Sequence, residues 1–140
     1  MSATQALCLE ILDRFANRTT TGLEERVTMY WGLSSTIPTE AGANITEPAT
    51  ANAYDRVSTT NSFWTPATDA DPSALISAAN LTFPQNGTAD WGTMLSLLIF
   101  SAESAGTLLW VLSINAAAGI LVEVGDTLQF DSTNVTLTAD

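Results

Sequence analysis

From residue 27 onward, the apolar residues of this chain occur in short runs that turn-forming residues interrupt. Residues 27–33 alternate between two faces, and residues 94–100 and 108–114 are apolar on both faces, which is typical of buried strands. The segment SAESAGT joins the last two runs and predicts a hairpin loop. Further strands are predicted at 54–59, 62–65, 78–83, 120–124, 127–130 and 135–138. This spacing predicts a mainly β protein with a single β-sandwich or jelly-roll-like domain over residues 21–140.

A helical pattern is found before this domain, at residues 3–18. Apolar residues recur there every four positions, and their neighbours widen the same stripe. We therefore predict a short N-terminal α-helix within an anchoring segment, residues 1–20. The stripe packs either on the protein's own sheet or on a neighbouring subunit. In the second case it is an assembly interface formed by Leu7, Ile11, Leu12 and Phe15.

The side chains that most enzymes depend on are scarce. The sequence has no histidine and no lysine, and it has one cysteine, Cys8. This excludes catalytic triads with histidine, histidine-bearing metal sites and lysine Schiff bases. The remaining carboxylate pairs, Glu24/Glu25, Glu40/Glu47 and Asp69/Asp71, lie in predicted loops, and the last lacks the pattern of a calcium-binding loop. We predict no catalytic residue, no metal and no cofactor.

The net charge of -11 indicates which partners to expect. Phosphate neutralisation requires clustered lysine and arginine, so nucleic acid is not an expected partner, whereas a basic protein surface is. The most apolar stretch, residues 94–118, is interrupted by polar residues and is not a membrane span. The N-terminus also lacks the pattern of an export signal.

Four tryptophans raise the alternative of a carbohydrate-binding module, because aromatic faces stack on sugars. Trp31 and Trp110 lie in apolar strand contexts and are predicted to pack in the core. Trp64 and Trp91 flank turns, which predicts that they are exposed or half-exposed aromatic contacts.

Sequence blocks spread along nearly the whole chain resemble a family of small tailed-phage virion proteins. In order, they are 30–38 (YWGLSSTIP), Gly42, 47–48 (EP), 54–57 (YDRV), 81–84 (LTFP), 91–93 (WGT), 99–102 (IFSA), Gly106, 108–109 (LL), 125–130 (GDTLQF) and 135–138 (VTLT). The chain departs from the family pattern at Ser101, where aspartate is usual, and at Ala105, where a second glycine is common.

The resemblance implies a virion structural protein without catalytic residues, assembled in the bacterial host cytoplasm. Within that class we predict a capsid decoration protein, because the chain is short and has no repeats or extended stalk. The alternative is a tail-fibre or baseplate component involved in host or carbohydrate binding. The expected partners are the major capsid protein or other virion proteins, and the architecture of such proteins implies a homo-oligomer, with a trimer expected.

Overall fold

The computed structural model describes residues 2–3, 28–65 and 73–139, and these residues are mainly β. Helical structure among them is limited to three 3₁₀ turns at Thr50–Asn52, Asn61–Phe63 and Asn115–Ala117. The strands are β1 (Ser2–Ala3), β2 (Thr28–Ser34), β3 (Val57–Thr60), β4 (Ser73–Ile76), β5 (Leu81–Thr82), β6 (Gly92–Met94), β7 (Ser96–Phe100), β8 (Leu108–Ser113), β9 (Ile120–Val122), β10 (Gln129–Phe130) and β11 (Thr136–Ala139).

The largest sheet has five antiparallel strands in the order β1-β8-β7-β2-β3. At its centre, Ile99 of β7 lies opposite Trp31 of β2 on one side and Trp110 of β8 on the other. The hairpin between β7 and β8 is connected by the predicted loop. The predictions for residues 27–33, 94–100 and 108–114 are therefore confirmed to within a few residues at each end.

Both faces of this sheet are covered. One face contributes Trp31, Leu33 and Ile99 to the main hydrophobic cluster, and the other contributes Leu98 and Phe100 to a smaller one. Successive side chains of a strand point to opposite faces. The strand β7 is buried along its entire length because both faces of the sheet are covered, as its apolar residues 97–100 predict.

The outer strands form three two-stranded antiparallel ladders, β4–β11, β5–β10 and β6–β9. The strand predicted at 62–65 is wrong: the chain forms a 3₁₀ turn there, followed by a single bridge from Trp64 to Ser77. The turn lets the rings of Phe63 and Trp64 both pack against Trp31, with centroids 5.3 and 5.7 Å away. In an extended segment, Phe63 and Trp64 would point to opposite faces, and the two rings would not both reach Trp31.

The predicted N-terminal helix gains no support from the described residues. Its first residue, Ala3, pairs with Trp110 in β1, so the helix does not begin there. The rest of the helix, including Leu7, Ile11, Leu12 and Phe15, lies outside the described residues. Within the described ranges, no helix is long and apolar enough to span a membrane.

Candidate functional site: a cleft built around Arg56

Arg56 is the centre of a polar cluster beside the central sheet. Its Nε and Nη2 donate to the two carboxylate oxygens of Glu47, at 2.9 and 2.6 Å. Its Nη1 donates to the carbonyl oxygens of Ala102 and Ala105, both at 3.0 Å. The guanidinium carbon lies 3.4 Å from the ring centroid of Phe100, a cation–π contact. All three nitrogens are engaged, so the group is a structural tie between loops.

Tyr54 also belongs to the cluster and links it to strand β2. Its hydroxyl donates to Glu47 Oε1 at 2.7 Å and accepts the backbone N–H of Leu33 at 2.9 Å. Burial raises the pKa of Tyr54 well above its ordinary value, and the neighbouring Glu47 carboxylate raises it further. Tyr54 therefore remains protonated and continues to donate to Glu47 over the physiological range.

Gly32 provides the space that this cluster occupies. A Cβ atom at this position would lie 2.8 Å from both Glu47 Oε1 and Phe100 Cε2, and 3.1 Å from the Tyr54 hydroxyl. Real Cβ atoms do not approach other atoms that closely. A glycine inside a strand weakens the strand, and here the close approach of the carboxylate accounts for it.

Two loops bring the partners together. The 3₁₀ turn Thr50–Asn52 ends at Ala53, whose φ of 60° turns the chain so that Tyr54 and Arg56 follow Glu47 into the cluster. The β7–β8 loop is closed by Ser101, whose Oγ accepts the backbone N–H of Thr107 at 2.8 Å. Serine thus supplies the side-chain acceptor at the position where the family pattern has aspartate. Ala105 retains the left-handed conformation, with φ of 53°, although glycine is common in its place.

An open cleft of about 400 Å³ lies over the cluster, between these two loops. Its walls include the acidic residues Glu47, Asp55 and Glu103, together with Thr50 and Ser104. Asp55 and Glu103 are exposed, whereas Glu47 is occupied by Arg56 and Tyr54. The cleft therefore offers hydrogen-bond acceptors with negative charge. Across the described part of the chain, no three acidic, histidine or cysteine side chains are grouped closely enough to hold a metal ion.

The tryptophans do not form an exposed aromatic surface. Trp91 was predicted to be exposed or half-exposed, and this is wrong: it is 7% exposed, and its Nε1 donates to the carbonyl oxygen of Asn52 at 3.0 Å. The chain around Thr50–Asn52 supplies this acceptor, and Tyr54 meets the Trp91 ring edge-on at 5.4 Å. Trp64 is half-buried and packs against Phe63. Trp31 is fully buried as predicted, and Trp110 packs against the main cluster.

Sequence reasoning weighed Glu47 for chemistry only as half of a carboxylate pair with Glu40, and it missed the cluster. The carboxylate of Glu47 is instead paired with Arg56. A usable signal was present, because Arg56 is the only arginine after residue 26 and lies two residues beyond Tyr54. All members of the cluster also lie within the blocks that carry the family resemblance: Gly32, Glu47, Tyr54, Arg56 and Phe100. The other acidic candidates, Glu24/Glu25 and Asp69/Asp71, lie outside the described residues.

These observations define a mainly β protein in which the motif residues fix loops against a sheet. A family model described as podophage GP4 fiber I protein gp80 matches residues 2–138. The chain belongs to this family of phage fibre proteins, and the predicted resemblance to phage virion structural proteins is confirmed. Membership in a fibre family makes the chain a virion component. No curated protein matches it.

Proposed function

We propose that this chain is a non-enzymatic fibre component of a podophage virion. The family match supports this proposal most directly, because the family description names a fibre protein and covers residues 2–138. It favours the tail-fibre alternative of the sequence analysis over capsid decoration. We propose, as in that alternative, that the fibre belongs to the tail and takes part in host or carbohydrate binding.

The Arg56 cluster supports a structural role. A catalytic group needs a free donor, acceptor or nucleophile facing the substrate, and Arg56, Glu47 and Tyr54 each have their polar atoms bonded to one another or to backbone. Fixing two loops in this way gives a fibre a rigid surface. Rigid surfaces lose less entropy on binding.

We propose that residues 21–140 form one β-sandwich-like domain, in which the three ladders close over the central sheet. We also propose that the protein works as a homo-oligomer, with a trimer expected, and that its partners are other virion proteins. The net charge of -11 suits a basic contact surface on such a partner.

Quantitative mass spectrometry of purified virions tests the choice between fibre and capsid decoration. A fibre component should be present in a small, fixed number of copies relative to the major capsid protein. A copy number that matches the number of capsid subunits, or a simple fraction of it, would overturn the fibre assignment in favour of decoration. Complete absence from purified virions would overturn both.

A further inference from the structure

An exposed apolar surface lies along β9 and the turn that leads into it. Four large hydrophobic side chains are exposed in the described part of the chain, and three of them are Ile120, Leu121 and Val124. Leu121 is 56% exposed. The alanines at 116–118 in the preceding turn are exposed as well. We call residues 116–118, 120, 121 and 124 the β9 surface.

The turn before β9 has an unfavourable backbone conformation. Asn115, Ala116 and Ala117 have φ values of 50°, 51° and 70°, in the left-handed region that L-residues usually avoid. Hydrogen bonds from the N–H groups of Ala117 and Gly119 to the carbonyl of Ile114, at 3.0 and 3.1 Å, hold this shape. Backbone strain of this kind clusters at functional sites of proteins, including ligand-binding sites. Here it presents alanine side chains to solvent beside Leu121.

One edge of β9 has no partner strand in the described sheets, since β9 pairs with β6 alone. Proteins usually protect such an edge with lysine, proline or inward-pointing charges, because its free N–H and C=O groups can pair with another chain. This chain contains no lysine, and residues 104–122 include neither a charged residue nor a proline. Within residues 104–122, this edge therefore has no charge or proline to keep another chain away.

Charge identifies the occupant of this surface. Two copies that each carry a net charge of -11 repel one another, so they can meet stably only where carboxylates are absent. The β9 surface meets this condition over residues 116–121, and the exposed Glu123 borders it beside Val124. A basic partner would instead be drawn to the acidic parts of the surface. Contacts between identical subunits are also the more apolar class of interface.

We infer that the β9 surface is the contact between copies of this chain, in which Leu121 and Ile120 pack against a second copy. This inference rests on the homo-oligomer put forward in the proposed function. It names the part of the chain that forms the oligomer, which the family match does not address.

Sedimentation equilibrium of the full-length chain tests the inference. The unchanged chain should be an oligomer, and Leu121→Asp should raise the dissociation constant by about a hundredfold or more, because each copy would bring a charge into an apolar contact. The matched control is Asn134→Asp, which adds the same charge at an exposed turn before β11. The control should leave the dissociation constant unchanged.

Hydrogen exchange of the unchanged chain provides a second test that does not depend on a variant's folding. Amides of residues 115–124 should exchange several-fold more slowly at concentrations where the oligomer forms than after dilution. A monomeric unchanged chain, an oligomer that Leu121→Asp leaves intact, or exchange of 115–124 that is independent of concentration would each overturn the inference. The virion copy number would be unaffected by such a result, so the fibre assignment stands or falls separately.

Discussion

Replacing Arg56 with alanine should destabilise the protein far more than removal of a typical surface charge. The side chains of Arg56 and Glu47 are only 10% and 22% exposed, so the variant leaves a largely buried carboxylate without its counter-charge. Removing one partner of a buried ion pair costs about 3–5 kcal/mol, and the partial exposure of Glu47 favours the lower end. Loss of the stacking on Phe100 adds about 1 kcal/mol.

We therefore expect Arg56→Ala to lower the free energy of unfolding by about 4 kcal/mol. For a domain of this size, that corresponds to a fall in Tm of roughly 10–15 °C. Urea denaturation followed by tryptophan fluorescence measures the free energy, and calorimetry measures Tm. The variant Arg56→Lys should lose about half as much, because lysine keeps the charge but cannot form the bidentate bond to Glu47 or reach both carbonyls.

The control is Asp55→Asn, which removes an exposed charge from the same cleft and should change the stability by less than about 0.5 kcal/mol. The double variant Arg56→Met/Glu47→Met should recover part of the loss, because it also removes the uncompensated carboxylate. If Arg56→Ala costs no more than Asp55→Asn, or if the two sites contribute additively, the cluster is not the structural tie described above.

Three further outcomes follow from the same contacts. Gly32→Ala should cost about 1–3 kcal/mol in urea denaturation, because the new methyl group overlaps Glu47 and Phe100; an unchanged midpoint would show that the cluster has room to spare. The raised pKa of Tyr54 means that the unfolded chain loses the phenolic proton at about pH 10 while the folded chain keeps it, so stability should fall above pH 10 by up to about 1.4 kcal/mol per pH unit. Tyr54→Phe should remove that part of the pH dependence, and identical slopes for the two proteins would contradict the assignment. Trp91→Ala should cost about 3–5 kcal/mol, because the ring is buried and bonded to Asn52; a variant that folds with unchanged stability would restore the original prediction of an exposed ring.

The central strands were predictable from the sequence because burial on one or both faces leaves a direct pattern. Alternation in residues 27–33 and the apolar run 97–100 define β2 and β7 without knowledge of their neighbours. The partners of the outer strands were not predictable in this way. The strand β4 pairs with β11 and β5 with β10, and such short segments far apart in the chain carry no local sign of their pairing.

The same distinction explains the errors at the site. The position of Trp91 beside a turn predicts an exposed ring. Its hydrogen-bond acceptor is the carbonyl oxygen of Asn52, which lies 39 positions earlier in the chain. The cluster around Arg56 is assembled from β2, the segment 47–56 and the β7–β8 loop. Its members were visible as family motif positions, but their mutual contacts depend on the tertiary fold.

Cryo-electron microscopy of an intact podophage particle that carries this chain tests the central claim most directly. We predict that the fold of residues 28–65 and 73–139 fits density within a fibre, with the β9 surfaces of adjacent copies in contact. Density for the same fold at repeated positions across the capsid lattice, and none in a fibre, would contradict it.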